Sequence, residues 1–212
     1  MSKSKLITLF SLFFTTFFIA TTDTLIAQNQ GVNVSSKKSK AIERINDYLN
    51  EIKTLRADFL QVATNGEVAS GKLYISRPGK IRFEYKPPSP ILIISDGTFL
   101  IYIDKHLEGM THFFLSNSPI NFLVKKSIRI TDDAEIISFS QKANVIRLKL
   151  SKLNQIDKGT ITLNFTNQPF NLRKWVVADS QGVKTTIILN NMEKNITLNP
   201  KLFEFEGFSK KE

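Results

Sequence analysis

The residues that could do chemistry in this chain are few. It has two histidines, His106 and His112, and no cysteine. Without cysteine there are no disulfides, no thiol nucleophile and no thiolate metal ligands. A Gly-x-Ser-x-Gly turn for an activated serine is absent. His106 sits in the charged turn Asp104-Lys105-His106, and His112 alternates with apolar neighbours; both read as surface or strand-edge residues. No pair of carboxylates stands out as an acid/base dyad, and there is neither a phosphate-binding glycine loop nor a calcium loop. The expectation is therefore a binding protein rather than an enzyme, with no metal and no cofactor. One residue carries a sharper signal. Counting along Leu73, Ile75 and Arg77 places the arginine on the apolar face of its strand. A guanidinium facing a core is costly unless it is hydrogen-bonded or paired. Either the strand has ended by Ser76 and Arg77 snorkels to solvent at the rim, or it bonds to something crossing the apolar face, such as a helix carbonyl.

The elements that would position Arg77 follow from periodicity. Ile42, Ile45, Leu49 and Ile52 recur at three- and four-residue steps after Ser39, a candidate cap, so an amphipathic helix of about four turns is expected there. Strand patterns follow, beginning with Leu55, Ala57 and Phe59. Turn signals are Asn65-Gly66, Pro78-Gly79 and Asp96-Gly97-Thr98. Ile81, Phe83 and Tyr85 alternate with Arg82, Glu84 and Lys86, a half-buried strand. Further strands are expected near 91–95, 99–103, 109–115, 134–140, 144–151, 159–166, 171–178, 183–190 and 201–206. Ser118-Pro119 followed by Ile120, Phe122, Leu123 and Val124 predicts a short helix over 119–126, its C-terminus suited by Lys125-Lys126. About eleven antiparallel strands are too many for a flat sheet. The expected fold is mainly β: an incomplete, unclosed antiparallel barrel with an apolar concave face and a wet convex one, covered by a lid of short α-helices.

The chain has 212 residues, 29 Lys+Arg against 19 Asp+Glu, and a formal charge of +10. Lys3 and Lys5 precede an uncharged stretch, Leu6 to Ala20, that holds five of the 17 Phe. Asp23 and Ala27 complete the three-part layout of a secretory signal peptide, residues 1–27, against the alternative of an uncleaved anchor. Cleavage after Ala27 leaves 185 residues and a charge of +9, two lysines and one aspartate fewer. Residues 28–38 read as a polar, flexible arm, and 39–212 as a single domain. The lysines are scattered rather than striped, so nucleic acid is not expected as a partner.

With these motifs in hand, the sequence resembles a known family. Ser-Gly-Lys-Leu-Tyr-Ile-Ser-Arg-Pro-Gly-Lys-Ile-Arg-Phe-Glu-Tyr, residues 70–85, looks like the signature of the periplasmic outer-membrane lipoprotein carriers, the LolA family. Leu55-Arg56-Ala57-Asp58-Phe59-Leu60-Gln61, Ile94-Ser95-Asp96-Gly97, Ser118-Pro119 and Leu202-Phe203-Glu204-Phe205 resemble further family segments, in order, over about 40–208. The resemblance implies a half-barrel that accepts acylated lipoproteins from an inner-membrane ABC transporter of the Lol type. It then carries them through the periplasm to an outer-membrane LolB-type receptor; apart from the resemblance, a monomer is expected. It also implies that Arg77 hydrogen-bonds to the lid and holds the empty state closed. Candidate acyl-chain residues are Phe59, Leu73, Ile75, Ile81, Phe83, Tyr85, Ile91 and Ile93, with Phe122 and Leu123 on the lid; for each, ordinary core packing is the alternative. A LolB-type receptor needs an N-terminal cysteine for its lipid anchor, which this cysteine-free chain lacks. A sensor that reads lipoproteins with a similar half-barrel, and a lipid-ester hydrolase, are the competing classes.

Overall fold

The computed structural model describes residues 23–205, 207 and 208. Most of the expected signal segment, residues 1–22, lies outside them. Helix α1 (Asp23–Glu51) begins well upstream of the expected cap. Ser39 is not a cap: its hydroxyl donates to the Ser35 carbonyl, 3.1 Å away, as a mid-helix serine does. Residues 28–38, expected as an arm, lie within this helix. The chain divides between Ser39 and Lys40, and the description below concerns the unit from Lys40 onward.

Eleven strands follow. They are β1 (Thr54–Ala63), β2 (Val68–Ser76), β3 (Lys80–Tyr85), β4 (Ile91–Asp96), β5 (Phe99–Asp104), β6 (Gly109–Phe114), β7 (Ala134–Lys142), β8 (Val145–Lys152), β9 (Gln155–Asn167), β10 (Phe170–Ala178) and β11 (Lys184–Lys194). They make one antiparallel sheet in the order β6-β5-β4-β3-β2-β1-β11-β10-β9-β8-β7. The first and last strands pair at the centre, while β6 and β7 form the two edges, so the sheet is not closed. Only the β6-to-β7 connection joins strands that are not neighbours. It must pass from one edge to the other, and it carries α2 (Asn121–Val124) and α3 (Ile130–Asp133). Topology thus forces these short helices across the sheet.

The sheet is strongly curled. Phe83 on β3 and Trp175 on β10 are four strands apart, which is about 19 Å in a flat sheet. Their ring centroids lie 6.4 Å apart, edge to face. The main core fills this concavity: Leu73, Ile81, Leu163, Trp175 and Ile187 from the sheet meet Ile45 and Leu49 of α1, Phe122, Leu123 and Val124 of α2, and Ile128 and Ile130. The fold class is therefore as the sequence implies, an unclosed antiparallel half-barrel under a helical cover.

Two expectations are corrected. The convex face is not wholly wet: Leu92, Ile94 and Ile103 form a second apolar cluster, covered by Phe205 and Phe208. Alternation in β4 runs apolar on both parities, so both faces of that strand need cover. The cover comes from the C-terminal segment, which is a 3-10 turn at Pro200–Phe203 and not a strand over 201–206. Asn199 caps it, its side chain accepting from the Lys201 amide at 3.0 Å, with Pro200 at the first position. Arg82 Nη1 donates to the Leu202 carbonyl at 3.0 Å and ties the turn to β3.

Candidate functional site

The concave interior and its cover form the site, and Arg77 joins them. Strand β2 ends at Ser76, so Arg77 stands one residue past it, but its side chain turns inward. Its Nε donates to the Leu123 carbonyl of α2 at 2.9 Å, and its Nη1 donates to the Leu49 carbonyl of α1. Both acceptors lie in the last turn of their helix, where carbonyls have no intrahelical partner and the dipole is negative. Neither helix has a basic residue in its own last turn; one guanidinium from the sheet serves both. The expected pairing of Lys125-Lys126 with the end of α2 is not made: Lys125 bonds to Asp133 instead.

The backbone beside Arg77 adds to the clasp. The Arg77 amide donates to the Lys53 carbonyl at 2.9 Å, and the Gly79 amide to the Val124 carbonyl at 2.7 Å. Gly79 has φ +77°, and a β-carbon there would come within 2.6 Å of Gly97, so the turn demands glycine. No carboxylate pairs with Arg77 among the described residues, and burial pulls its pKa down to about 10. Its charge is met by carbonyl dipoles alone.

A second set of bonds fastens α1. Asn50 Nδ2 donates to the Ile128 carbonyl and Asn50 Oδ1 accepts from the Ile128 amide, both at 2.8 Å. One turn earlier, Asn46 Oδ1 accepts from the Ile130 amide at 3.1 Å. On the opposite side, the Tyr48 hydroxyl accepts from the Leu172 amide at 3.1 Å. Arg44 donates to the Asn167 side chain at 2.8 Å and lies 4.1 Å over the Phe170 ring.

Of the acyl-chain candidates, Phe59, Leu73, Ile75, Ile81 and Phe83 are buried in the main core, as are Phe122 and Leu123 of the cover. Tyr85 and Ile93 pack against it, half-buried. Ile91, at the strand end opposite Asp104, is half-buried and outside the cluster. The Phe59 ring contacts those of Phe83 and Tyr85 at 5.3 and 5.0 Å. It can do so because Gly71 lies between in the register Phe59–Gly71–Tyr85; a β-carbon at Gly71 would meet the Phe59 ring at 2.7 Å and the Glu84 carbonyl at 2.1 Å. The Tyr85 hydroxyl donates to Gln61 Oε1 at 2.5 Å, and burial pushes its pKa up to about 12.

The other wall of the interior went unnamed in the candidate set: Leu148, Leu163, Phe165, Trp175, Ile187 and Leu189, from β8 to β11. The alternation in 144–151 and 159–166 was a usable signal for several of these. His106 and His112 are exposed and lie outside the interior. Among the described residues no group of three or more His, Asp or Glu could hold a metal ion, and no helix is long and apolar enough to cross a membrane. The arrangement can hold apolar chains against one curved surface and can cover that surface when they are absent.

Similar proteins are known. An outer-membrane lipoprotein carrier protein of Chromobacterium violaceum is 31% identical over 79% of this chain and 84% of its own. One of Nitrosomonas europaea is 30% identical over 79% and 85%. An uncharacterised Rickettsia prowazekii protein is 25% identical over 78% and 76%. The crystal structure of a LolA superfamily protein from Nitrosomonas europaea superposes with a TM-score of 0.44 at 11% identity, covering 77% of this chain and 97% of that one. The family model described as outer membrane lipoprotein carrier protein LolA matches residues 50–206, which include Arg77, α2, α3 and all eleven strands. The chain belongs to the outer membrane lipoprotein carrier protein LolA family.

Proposed function

We propose that the protein is a periplasmic carrier that binds the acyl chains of lipoproteins in its concave interior, accepting them from an inner-membrane ABC transporter of the Lol type and delivering them to an outer-membrane LolB-type receptor. No bond is made or broken in this role. The observation that carries the reading is the Arg77 clasp, a single side chain fastening two helix ends over an apolar surface. Family membership and the carrier names of relatives support it.

The energy scale explains why a cover is useful. Burying a methylene contributes roughly 0.8 kcal/mol, so several acyl chains amount to tens of kcal/mol, beyond the practical ceiling for affinity from water. Transfer therefore proceeds between apolar surfaces, and small affinity differences set its direction. Phe122, Leu123, Ile128 and Ile130 occupy the interior in the empty state and must be displaced by cargo. That displacement subtracts from cargo affinity and favours release to a receptor. Arg77 tunes the subtraction: its bonds to carbonyls stabilise closure, and the desolvation that lowers its pKa offsets part of the gain.

The test is extraction. Incubated with membranes bearing a triacylated lipoprotein and its transporter, the purified protein is expected to release that lipoprotein as a soluble one-to-one complex. Absence of any such complex, with the cargo remaining in the membrane, contradicts the reading.

A further inference from the structure

Trp175 is the sole tryptophan of the chain, and it stands in the middle of the interior. It is 1% exposed. Its ring faces Phe83 across the concavity, and its cross-strand neighbours are Leu163 and Ile187, both buried in the same core. The indole Nε1–H has no acceptor among the described residues. Buried tryptophan N–H groups normally find one, because the unpaired donor retains its desolvation penalty. Its cross-strand neighbours Leu163 and Ile187 and the facing Phe83 carry no side-chain oxygen. An uncompensated donor within the apolar core calls for a partner that arrives from elsewhere.

An acyl chain brings such a partner with it. Whether joined as an ester or as an amide, it reaches its carrier through a carbonyl, and a plain hydrocarbon chain has none. We propose that Trp175 Nε1 donates a hydrogen bond to the carbonyl oxygen of bound acyl cargo, and so fixes the depth at which the chain is seated and selects acyl groups over equally apolar alkyl groups. This rests on the acyl-binding reading above and adds its one directional contact. In a dry interior a hydrogen bond is electrostatically stronger than in water. A buried donor discriminates against an analogue without the acceptor, because the analogue leaves the donor unpaired.

The single tryptophan makes the contact directly observable. Uniformly 15N-labelled protein has one indole 1H–15N resonance, which can be followed while titrating dioctanoylglycerol, an ester, or the matching dioctyl glycerol ether, each below its aggregation limit. The ester is expected to move the indole proton downfield and to bind about fivefold more tightly than the ether, the worth of one hydrogen bond. Trp175→Phe is expected to bind ester and ether equally, at the wild-type affinity for the ether. An unmoved indole resonance in the ester-saturated protein, or equal wild-type affinity for both lipids, overturns the proposal while leaving acyl binding in place. Failure of both lipids to bind overturns the acyl-binding reading itself and this proposal with it. The wild-type comparison does not depend on the variant folding.

Discussion

Two of the fastenings of the cover over the half-barrel use different chemistry. Along α1, Asn46 and Asn50 hold the backbone of residues 128–130 with three neutral hydrogen bonds at 2.8 to 3.1 Å. Each amide is matched to a peptide group, and no charge is buried. At the end of β2, Arg77 holds Leu49 and Leu123 with a guanidinium that has no counter-ion among the described residues and whose pKa burial lowers to about 10. The first fastening is cheap to keep and expensive to break, since breaking it leaves a buried N–H and C=O unpaired. The second is a compromise between charge-assisted bonds and desolvation. The difference teaches which part of the cover moves. The asparagine bonds make α1 and the 128–130 segment one piece, and Arg77 is a charged catch that, beside the Tyr48 and Arg44 bonds, holds that piece to the sheet.

Substitutions separate the two. Asn50→Ala removes both bonds to Ile128 and should cost the most, about 2–3 kcal/mol of global stability, read as a lowered urea midpoint with unchanged slope. A loss below about 0.5 kcal/mol would mean that the clamp is not structural. Arg77→Leu should change global stability less, within about 1 kcal/mol, because the apolar side chain relieves desolvation as it forfeits the bonds. Its effect should appear in function: cargo retained about tenfold more tightly against a receptor, the equivalent of about 1.4 kcal/mol less closure. Transfer at the wild-type rate would remove the assigned role of Arg77.

Much of this architecture could be read from alternation and turns. Leu73, Ile75, Ile81 and Phe83 lie where period-two counting puts them, and Arg77 follows the same parity inward although its strand has ended. The strands and the short helix after Ser118-Pro119 follow from the same signals, whereas the passage from β6 at one edge to β7 at the other, and α3 within it, do not: local turn signals do not say which strands pair. What failed did so for local reasons. Ser39 has the type of a cap, but helical residues precede it and its hydroxyl turns back to Ser35. Leu202-Phe203-Glu204-Phe205 alternates like a strand, yet Asn199-Pro200 starts a 3-10 turn whose Phe203 is buried. Lys125 has the charge to serve the end of α2, but Asp133 claims it. The solitary Trp175 donor lies beyond any pattern: an absent acceptor is a property of packing between β3 and β10, which only the curl of the sheet brings together.

The central claim, that cargo displaces the cover from the sheet, is tested most directly at one amide. Gly79 lies in the β2–β3 turn, and its N–H donates to Val124 of the cover at 2.7 Å. Hydrogen exchange at Gly79 should be slow in the empty protein and at least about tenfold faster once acyl cargo is bound, while the amide of Leu73 inside β2 keeps its protection. Unchanged protection of Gly79 in the fully loaded protein would contradict the account.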